Sequence, residues 1–286
     1  MALTLKQFKS EQIQISETRL TQESFPNYLK IVSEGDSWFD YTIVKDTIDY
    51  LIKMGYAIRN HAKGGDTLEN MLYGSKFKIR NNNVINQGSR SLEQTLNSIN
   101  ELNSRFFLFS GGGNDIVGGE IIGYLNHKGS NPSSLVNDYI FNEKLKRMKN
   151  SLKYLISKVS DSNPECEILM HGYDFPKING KGYRFAWINI VGPWILPAMG
   201  QKGITLKSEQ KSVIKHFIDG FNNMLIELDN EYPKFHHIEL RNIFKNDNEW
   251  HNEIHLKNSG YRTIAKKYHE KITELLGYNP LEQINM

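Results

Sequence analysis

Two residues that lie far apart in the sequence, Ser37 and His255, carry side chains that together could perform nucleophilic catalysis. Ser37 ends the tripeptide Gly35-Asp36-Ser37, which follows an apolar segment predicted to be a β-strand. His255 lies in a polar loop predicted between the last strand and the last helix. An imidazole that accepts the hydroxyl proton activates a serine as a nucleophile. The tripeptide alone is also an ordinary turn sequence, so its place in the fold must decide its role.

Two glycine-rich segments follow other predicted strands and offer hydrogen-bond donors that could stabilise an oxyanion. The turn Lys63-Gly64-Gly65-Asp66-Thr67 contains Gly65, whose backbone N–H can donate. The segment Ser110-Gly111-Gly112-Gly113-Asn114-Asp115 contains Asn114, whose side-chain amide can donate. Preorganised donors of this kind stabilise a transition state by a few kcal/mol. A phosphate-binding loop or a turn without function is the alternative, and a Walker-type loop is disfavoured because no Gly-Lys-Ser/Thr follows.

The positions of the histidines and of the single cysteine disfavour catalysis by a metal ion or by a thiol. His251 and His255 are four residues apart, but no convincing third zinc ligand lies nearby in the sequence. We therefore predict no metal and no cofactor. The single cysteine, Cys166, lies in a predicted strand, which indicates a buried structural thiol rather than a nucleophile.

Strand-like and helical segments alternate along the chain, and these elements must bring the candidate residues together. Such alternation is typical of a parallel sheet with helices on both faces. We predict a flavodoxin-like three-layer α/β/α sandwich with a central, about five-stranded parallel sheet, in which ligands bind beyond the carboxyl ends of the strands. The predicted strands are 29–34, 56–61, 105–109, 166–171 and 235–240, and the predicted helices are 46–54, 92–103, 137–159, 207–228 and 259–276.

Two segments fit this alternation poorly. Residues 1–27 are predicted to form an N-terminal arm that can be helical, and residues 28–286 to form the domain that carries the site. Within that domain, residues 173–206 contain scattered Gly, Pro and aromatic residues with little periodicity, which indicates a long loop or lid. Its aromatic side chains, Trp187 and Trp194 among them, either form a wall for a substrate or pack over the sheet for stability.

The bulk composition excludes some classes of protein without naming a partner. A net charge of +3 over 286 residues, with only short basic stretches, is typical of solvated helix faces, so no nucleic-acid binding is predicted. No apolar window is long enough to span a bilayer, and the first residues lack the features of a secretory signal. The expected location is cytoplasmic, with secretion left open if a signal peptide was removed. The oligomeric state is not predicted.

Taken in order, four blocks of the sequence resemble those of the SGNH (GDSL) hydrolase superfamily. They are Gly35-Asp36-Ser37, then Gly65, then Gly112-Gly113-Asn114-Asp115, and a last block that ends at His255. Each block is weak alone, but their order and their positions after predicted strands make the resemblance specific over residues 35–255. The resemblance implies the flavodoxin-like fold and metal-free hydrolysis of esters.

The resemblance also assigns roles to individual residues. It implies Ser37 as the nucleophile and His255 as the general base and then the general acid. The oxyanion hole that it implies consists of the backbone N–H groups of Ser37 and Gly65 and the side chain of Asn114.

The sequence departs from the family pattern three residues before His255, where the family has an aspartate and this chain has Asn252. Asparagine can hold an imidazole but carries no charge, and its NH2 group can favour the wrong tautomer. In a serine protease the Asp-to-Asn change lowers turnover about 10⁴-fold. Asn252 can be natural, with a Ser–His dyad supported by a backbone carbonyl or by Asp247, Glu249 or Glu253. It can also be a substitution introduced to trap a substrate complex, or it can mark a protein that binds without hydrolysing.

Two functions from different classes follow from these observations. The first is a serine-dependent ester hydrolase of the esterase, lipase or acetyl-esterase type, which acts through an acyl-enzyme at Ser37. The second is a catalytically impaired protein of the same fold that binds a carbohydrate or lipid ligand. The predicted partner is a small-molecule, glycan or lipid ester, and the sequence does not choose its acyl or alcohol group.

Overall fold

The computed structural model of the chain describes residues 4–21, 29–185 and 188–282. Five parallel strands of this part form the central sheet. The strands in chain order are β1 (Lys30–Gly35), β2 (Ala57–Asn60), β3 (Phe77–Arg80), β4 (Asn83–Asn86), β5 (Phe106–Ser110), β6 (Glu167–His171), β7 (Tyr183–Phe185), β8 (Ile188–Val191) and β9 (Phe235–Ile238). The central sheet has the order β2-β1-β5-β6-β9, which is the order of flavodoxin-like sheets.

The sheet strands are buried on both faces because helices cover both. All residues of β5 are buried, and so are all residues of β1 except Lys30. Strands of this kind have near-continuous apolar sequences rather than alternating ones, which is why the sequence revealed them. The five predicted strands and the parallel sheet are confirmed, with ends that differ by one or two residues.

Helices pack in two groups that cover the two faces of the sheet. Helix α2 packs against α9, whereas α4 packs against α6 and α6 against α8, which completes the predicted three-layer sandwich. These helices and the others in the described residues are α1 (Leu5–Thr21), α2 (Thr47–Met54), α3 (Leu68–Tyr73), α4 (Arg90–Leu102), α5 (Gly113–Val117), α6 (Asp138–Ser162), α7 (Leu196–Gln201), α8 (Lys207–Glu231) and α9 (Asn258–Leu276). In the part of the chain that the structure describes, no helix is apolar over a length that would cross a membrane.

Several short elements escaped the sequence analysis. Strands β3 and β4 form an exposed antiparallel hairpin. A long loop or lid was predicted for residues 173–206. The structure instead has regular elements within this segment, since β7 and β8 pair there and α7 follows. Elements of three to six residues are shorter than the window over which periodicity is detectable. Trp187, predicted to contribute to this segment, lies outside the described residues.

Helix α1 lies within the predicted N-terminal arm and covers the edge of the central sheet. The Ser16 hydroxyl donates to the carbonyl of Ile58 in β2 and accepts from its N–H, both at 2.6 Å. The Arg19 guanidinium donates to the carbonyls of Ile52 and Tyr56 at 2.8 and 3.1 Å. Exposed edge strands invite pairing with other chains, so α1 protects β2 through polar contacts. The predicted boundary at residue 27 falls in a segment outside the described residues, and the division stays a prediction.

We expect the substitution Ser16→Ala to lower the free energy of unfolding by about 1–3 kcal/mol, because it leaves both polar groups of Ile58 unpaired in a buried position. Urea unfolding followed by circular dichroism measures this change. Ser10→Ala, at an exposed position of the same helix, is the matched control and should change stability by less than about 0.5 kcal/mol. Equal effects of the two substitutions would contradict the proposed role of Ser16.

Candidate active site

Ser37 lies two residues after the end of β1, in a turn that the buried carboxylate of Asp36 stabilises. This carboxylate accepts hydrogen bonds from the Trp38 N–H at 2.9 Å and the Ser110 hydroxyl at 2.7 Å. The Tyr173 hydroxyl donates a third bond at 2.6 Å. Burial and the charge of Asp36 raise the pKa of Tyr173, so its hydroxyl stays protonated and can donate. The turn therefore holds Ser37 at the carboxyl edge of the sheet.

Gly35 allows β1 and β5 to approach closely just before this turn. A Cβ atom at Gly35 would lie 2.7 Å from the carbonyl oxygen of Ser110. The Asp36 N–H donates to the same oxygen at 3.0 Å. A side chain at this position would separate the two strands and move the serine, so the position requires glycine.

His255 reaches the same edge of the sheet from the loop between β9 and α9. Its Nε2 lies 2.8 Å from Ser37 Oγ, although the two residues are 218 positions apart in the sequence. The imidazole stacks on the Tyr41 ring, with centroids 4.1 Å apart and planes inclined by 11°. Trp194 meets the imidazole edge-on, with centroids 5.7 Å apart. The predicted serine and histidine thus lie within the distance that proton transfer requires.

Asn252 is fully buried beside the other ring nitrogen of His255. Its Oδ1 accepts hydrogen bonds from the backbone N–H groups of Ile254 at 3.1 Å and His255 at 2.8 Å. Its Nδ2 donates to the Tyr41 hydroxyl at 3.3 Å. The two backbone donors fix which end of the amide is the oxygen, since an NH2 group cannot accept their hydrogens.

The orientation of Asn252 selects the tautomer of His255. The Nδ1 atom of His255 lies 3.1 Å from Asn252 Oδ1, so this nitrogen carries the ring proton and donates. Nε2 then has a lone pair that faces Ser37. Asn252 therefore favours the tautomer that can accept the serine proton, although it provides no negative charge.

Two of the three carboxylates considered as substitutes for the missing aspartate have other partners. Asp247 pairs with Lys177 at 3.0 Å and is largely exposed. Glu249 accepts a hydrogen bond from the backbone N–H of Asn246 at 3.0 Å. Among the described residues, neither carboxylate bonds to His255, so neither restores the missing charge.

Glu253, the third candidate, is fully buried and binds the segment that precedes α7. Its own N–H donates to the carbonyl of Lys181 at 3.2 Å. A buried carboxylate needs several hydrogen-bond donors to offset the loss of hydration. Within the part of the chain that the structure describes, the donors to the Glu253 carboxylate are backbone N–H groups, and the imidazole of His255 is not among them. The carboxylate accepts hydrogen bonds at 2.7–3.2 Å from four backbone N–H groups, those of Gly180, Trp194, Ile195 and Leu196.

Burial and, to a smaller extent, the neighbouring His251 lower the pKa of His255 to about 3. The bond from Asn252 orients the ring but adds no charge that would favour the imidazolium form. His255 is therefore neutral at neutral pH and able to accept a proton. The imidazolium that forms when it does so has no carboxylate beside it among the described residues.

The predicted oxyanion donors surround one cleft together with Ser37 and His255. Asn114 follows β5, and its Nδ2 donates one hydrogen to the carbonyl of Asp66 at 2.8 Å, which leaves the second hydrogen for another acceptor. Within the described ranges, the backbone N–H groups of Ser37 and Gly65 have no hydrogen-bond partner. The φ angle of Gly65 is +87°, in the region that favours glycine.

Asp115 links the loop of Asn114 to the turn of Gly65. Its buried carboxylate accepts a hydrogen bond from the Leu68 N–H at 2.8 Å, at the start of α3. It also pairs with Lys144 at 3.1 Å. Because α3 begins soon after the Gly65 turn, these contacts hold the two candidate donors close together.

The two histidines of the last block have separate partners. His251 Nδ1 lies 3.2 Å from the Tyr41 hydroxyl, whereas His255 contacts Ser37. In the described part of the chain, no group of three or more His, Cys, Asp or Glu side chains could hold a metal ion. Cys166 is buried, and burial raises the pKa of its thiol to about 12, so little thiolate forms at neutral pH.

The sequence analysis missed Tyr41, which contacts both His255 and Asn252. Its position four residues after Ser37 is a weak signal, because aromatic residues near a strand end usually belong to the core. The role of Tyr41 depends on the packing of the loop of residues 251–255 against its ring, which the sequence does not show.

No protein-family model matches the chain, and no curated protein matches it in sequence. Solved structures do match it. The lipase Lip_vut3 from a goat rumen metagenome is 14% identical with a TM-score of 0.54, over 88% of this chain and 99% of that one. The extracellular lipase from Streptomyces rimosus is 13% identical with a TM-score of 0.52, over 84% and 98%. Phospholipase A1 from Streptomyces albidoflavus NA297 is 12% identical with a TM-score of 0.51, over 85% and 99%.

These similarities confirm the fold that the resemblance to the SGNH (GDSL) hydrolase superfamily implied. At identities of 12–14% they establish the fold alone. A shared fold supports many activities, so the activity of this chain must be inferred from its own site.

We expect imidazole ¹H–¹⁵N spectra to show His255 protonated at Nδ1 and unprotonated at Nε2 from about pH 8 down to about pH 4, since its pKa is about 3. An unperturbed histidine gains its second proton near pH 6.5. In the variant Asn252→Asp the same resonances should titrate at a higher pH than in the native protein, because the carboxylate stabilises the imidazolium. Titration of native His255 near pH 6.5 would contradict the conclusion that its imidazole is buried without a neighbouring carboxylate.

Proposed function

We propose that this chain is a serine-dependent hydrolase of carboxylic esters that acts through an acyl-enzyme at Ser37. The observation that carries the proposal is the 2.8 Å contact between Ser37 Oγ and His255 Nε2, with Nδ1 held by Asn252 Oδ1 on the other side of the ring. A nucleophile, a base and a group that orients the base are the three parts that this chemistry needs. The fold, which is that of known lipases, is consistent with it.

In the first half of the reaction, Ser37 Oγ attacks the carbonyl carbon of the ester while His255 Nε2 accepts the hydroxyl proton. The tetrahedral intermediate then collapses, its carbon–oxygen bond to the alcohol breaks, and the alcohol leaves with the proton from Nε2. In the second half, water attacks the acyl-enzyme with His255 as base. This step releases the carboxylic acid and restores the Ser37 hydroxyl.

The negative oxygen of each tetrahedral intermediate needs donors that are in place before the reaction. The backbone N–H groups of Ser37 and Gly65 and the second amide hydrogen of Asn114 are suited to this role. They line the cleft that contains the nucleophile. The contact of Asn114 with Asp66 fixes the amide without using both of its hydrogens.

Asn252 limits the rate in this proposal rather than preventing the reaction. It supplies the orientation and the tautomer that a triad aspartate supplies, but it does not supply the charge. The absence of that charge also supports the second candidate, a protein that binds a carbohydrate or lipid ligand without hydrolysing it. The productive tautomer of His255 favours the hydrolase, because a binding protein has no need of a neutral base beside a serine.

Ser37→Ala should lower kcat/KM on p-nitrophenyl acetate by roughly 10³-fold or more, because it removes the nucleophile. A fluorophosphonate probe should label the native protein at Ser37 and leave the variant unlabelled, as mass spectrometry of the peptides would show. Ser208→Ala, at an exposed position of α8, is the matched control and should keep full activity and labelling. A folded native protein that neither reacts with the probe nor hydrolyses the ester would favour the binding protein.

Asn252→Asp should raise kcat/KM at neutral pH by roughly tenfold or more, since it adds the charge that stabilises imidazolium while keeping the oxygen that accepts three hydrogen bonds. The Tyr41 hydroxyl can turn to donate to the new carboxylate. Asn252→Ala is the comparison and should lower activity, because the ring loses its acceptor. Lower activity of a stably folded Asn252→Asp variant, with folding checked by thermal unfolding, would show that the position is wrongly assigned.

A further inference from the structure

Two spaces of different size meet at Ser37. One is a narrow cavity of about 30 Å³, and the other is an open cleft of about 610 Å³. Ser37, Asn114 and Ile254 line both of them. An ester bound at the nucleophile must therefore place its acyl part in one space and its alcohol part in the other.

The position of His255 decides which part enters which space. His255 lines the cleft and does not line the narrow cavity. The general acid must reach the oxygen of the leaving alcohol to protonate it. The alcohol therefore lies in the cleft beside His255, and the acyl chain points away from the imidazole into the narrow cavity.

The narrow cavity has mainly apolar walls. Trp38, Ile116, Val117 and Trp250 line it, and all four are buried. The carboxylate of Asp174, which also lines it, is occupied by backbone N–H groups of the chain. This space is much smaller than the cleft, so it favours a short acyl group, and a close-packed interior does not expand readily.

The cleft has a different chemical character. Much of its lining is apolar, with the indole of Trp194 as an aromatic wall beside His255, and hydroxyl side chains and one carboxylate add hydrogen-bonding groups. Aromatic faces combined with several hydrogen-bonding groups suit a ring that carries many hydroxyls. The polar side chains that line the cleft include Asp40, Tyr41, Thr42 and Thr67.

We propose that the substrate is a short-chain, acetyl-type ester of a bulky, hydroxyl-rich alcohol such as a sugar ring. This inference rests on the proposed function, because it assigns acyl and alcohol sides to a reaction at Ser37. The size of the narrow cavity sets the acyl preference, and the walls of the cleft set the alcohol preference.

The acyl preference is tested with p-nitrophenyl acetate, butyrate and octanoate. The acetate should have a kcat/KM at least roughly 100-fold above that of the octanoate, since a chain longer than the cavity cannot enter. A kcat/KM for octanoate equal to or above that for acetate would overturn the inference while the proposed function stands. Failure of all three esters, together with no fluorophosphonate labelling of Ser37, would overturn both.

A variant with an enlarged cavity tests whether the size of the cavity is the cause of the acyl preference. Val117→Ala should raise the ratio of kcat/KM for butyrate to that for acetate by roughly tenfold, because it removes two methyl groups from the wall. Val213→Ala is the matched control, since Val213 is similarly buried in a helix but does not line the cavity. An unchanged ratio in a Val117→Ala variant that thermal unfolding shows to be folded would contradict the assignment of the acyl side.

The alcohol preference is tested with two unactivated esters, ethyl acetate and 6-O-acetylglucose, whose sugar ring keeps its free hydroxyls. The native protein should hydrolyse the acetylated sugar with a kcat/KM roughly tenfold or more above that for ethyl acetate. Trp194→Ala should reduce this ratio several-fold, mainly through KM, because it removes the aromatic wall of the cleft. Equal kcat/KM values for the two esters in the native protein would overturn the assignment of the alcohol side.

Discussion

One side-chain oxygen, Asn252 Oδ1, determines whether the candidate site can function. It accepts hydrogen bonds from two backbone N–H groups of its own loop and from His255 Nδ1. The backbone bonds prevent the amide from turning over, and the ring bond places the lone pair of Nε2 toward Ser37. An aspartate would do the same and add a charge. This chain retains the orientation without the charge, and the geometry of the serine and the histidine is preserved.

Buried carboxylates hold the loops around this oxygen in place. Asp36 stabilises the turn of Ser37, Asp115 joins the two loops of the oxyanion donors, and Glu253 binds the segment before α7. Each carboxylate is satisfied by several donors, which a buried charge requires. These three carboxylates therefore stabilise the loops of the active site. Among the described residues, none of the three accepts a hydrogen bond from His255.

Much of the fold followed from the sequence because its strands are continuous apolar runs and its long helices have clear periodicity. The short strands β3, β4, β7 and β8 and the helix α7 did not, since they have too few residues to show a period. Helix α1 was difficult for another reason. The residues that it buries are Gln12, Ser16 and Leu20, so its contact with the sheet is largely polar and leaves little hydrophobic signal.

The sequence by itself determined the residue types at the site and the order in which they occur. Ser37, Gly65, Asn114 and His255 each follow a predicted strand, and parallel strands bring their carboxyl ends to one edge. Only the tertiary structure decided what Asn252 does, because the direction of its amide depends on backbone donors and on the Tyr41 hydroxyl. It also decided against Asp247, Glu249 and Glu253 as substitutes, since nearness in sequence does not determine which way a carboxylate points.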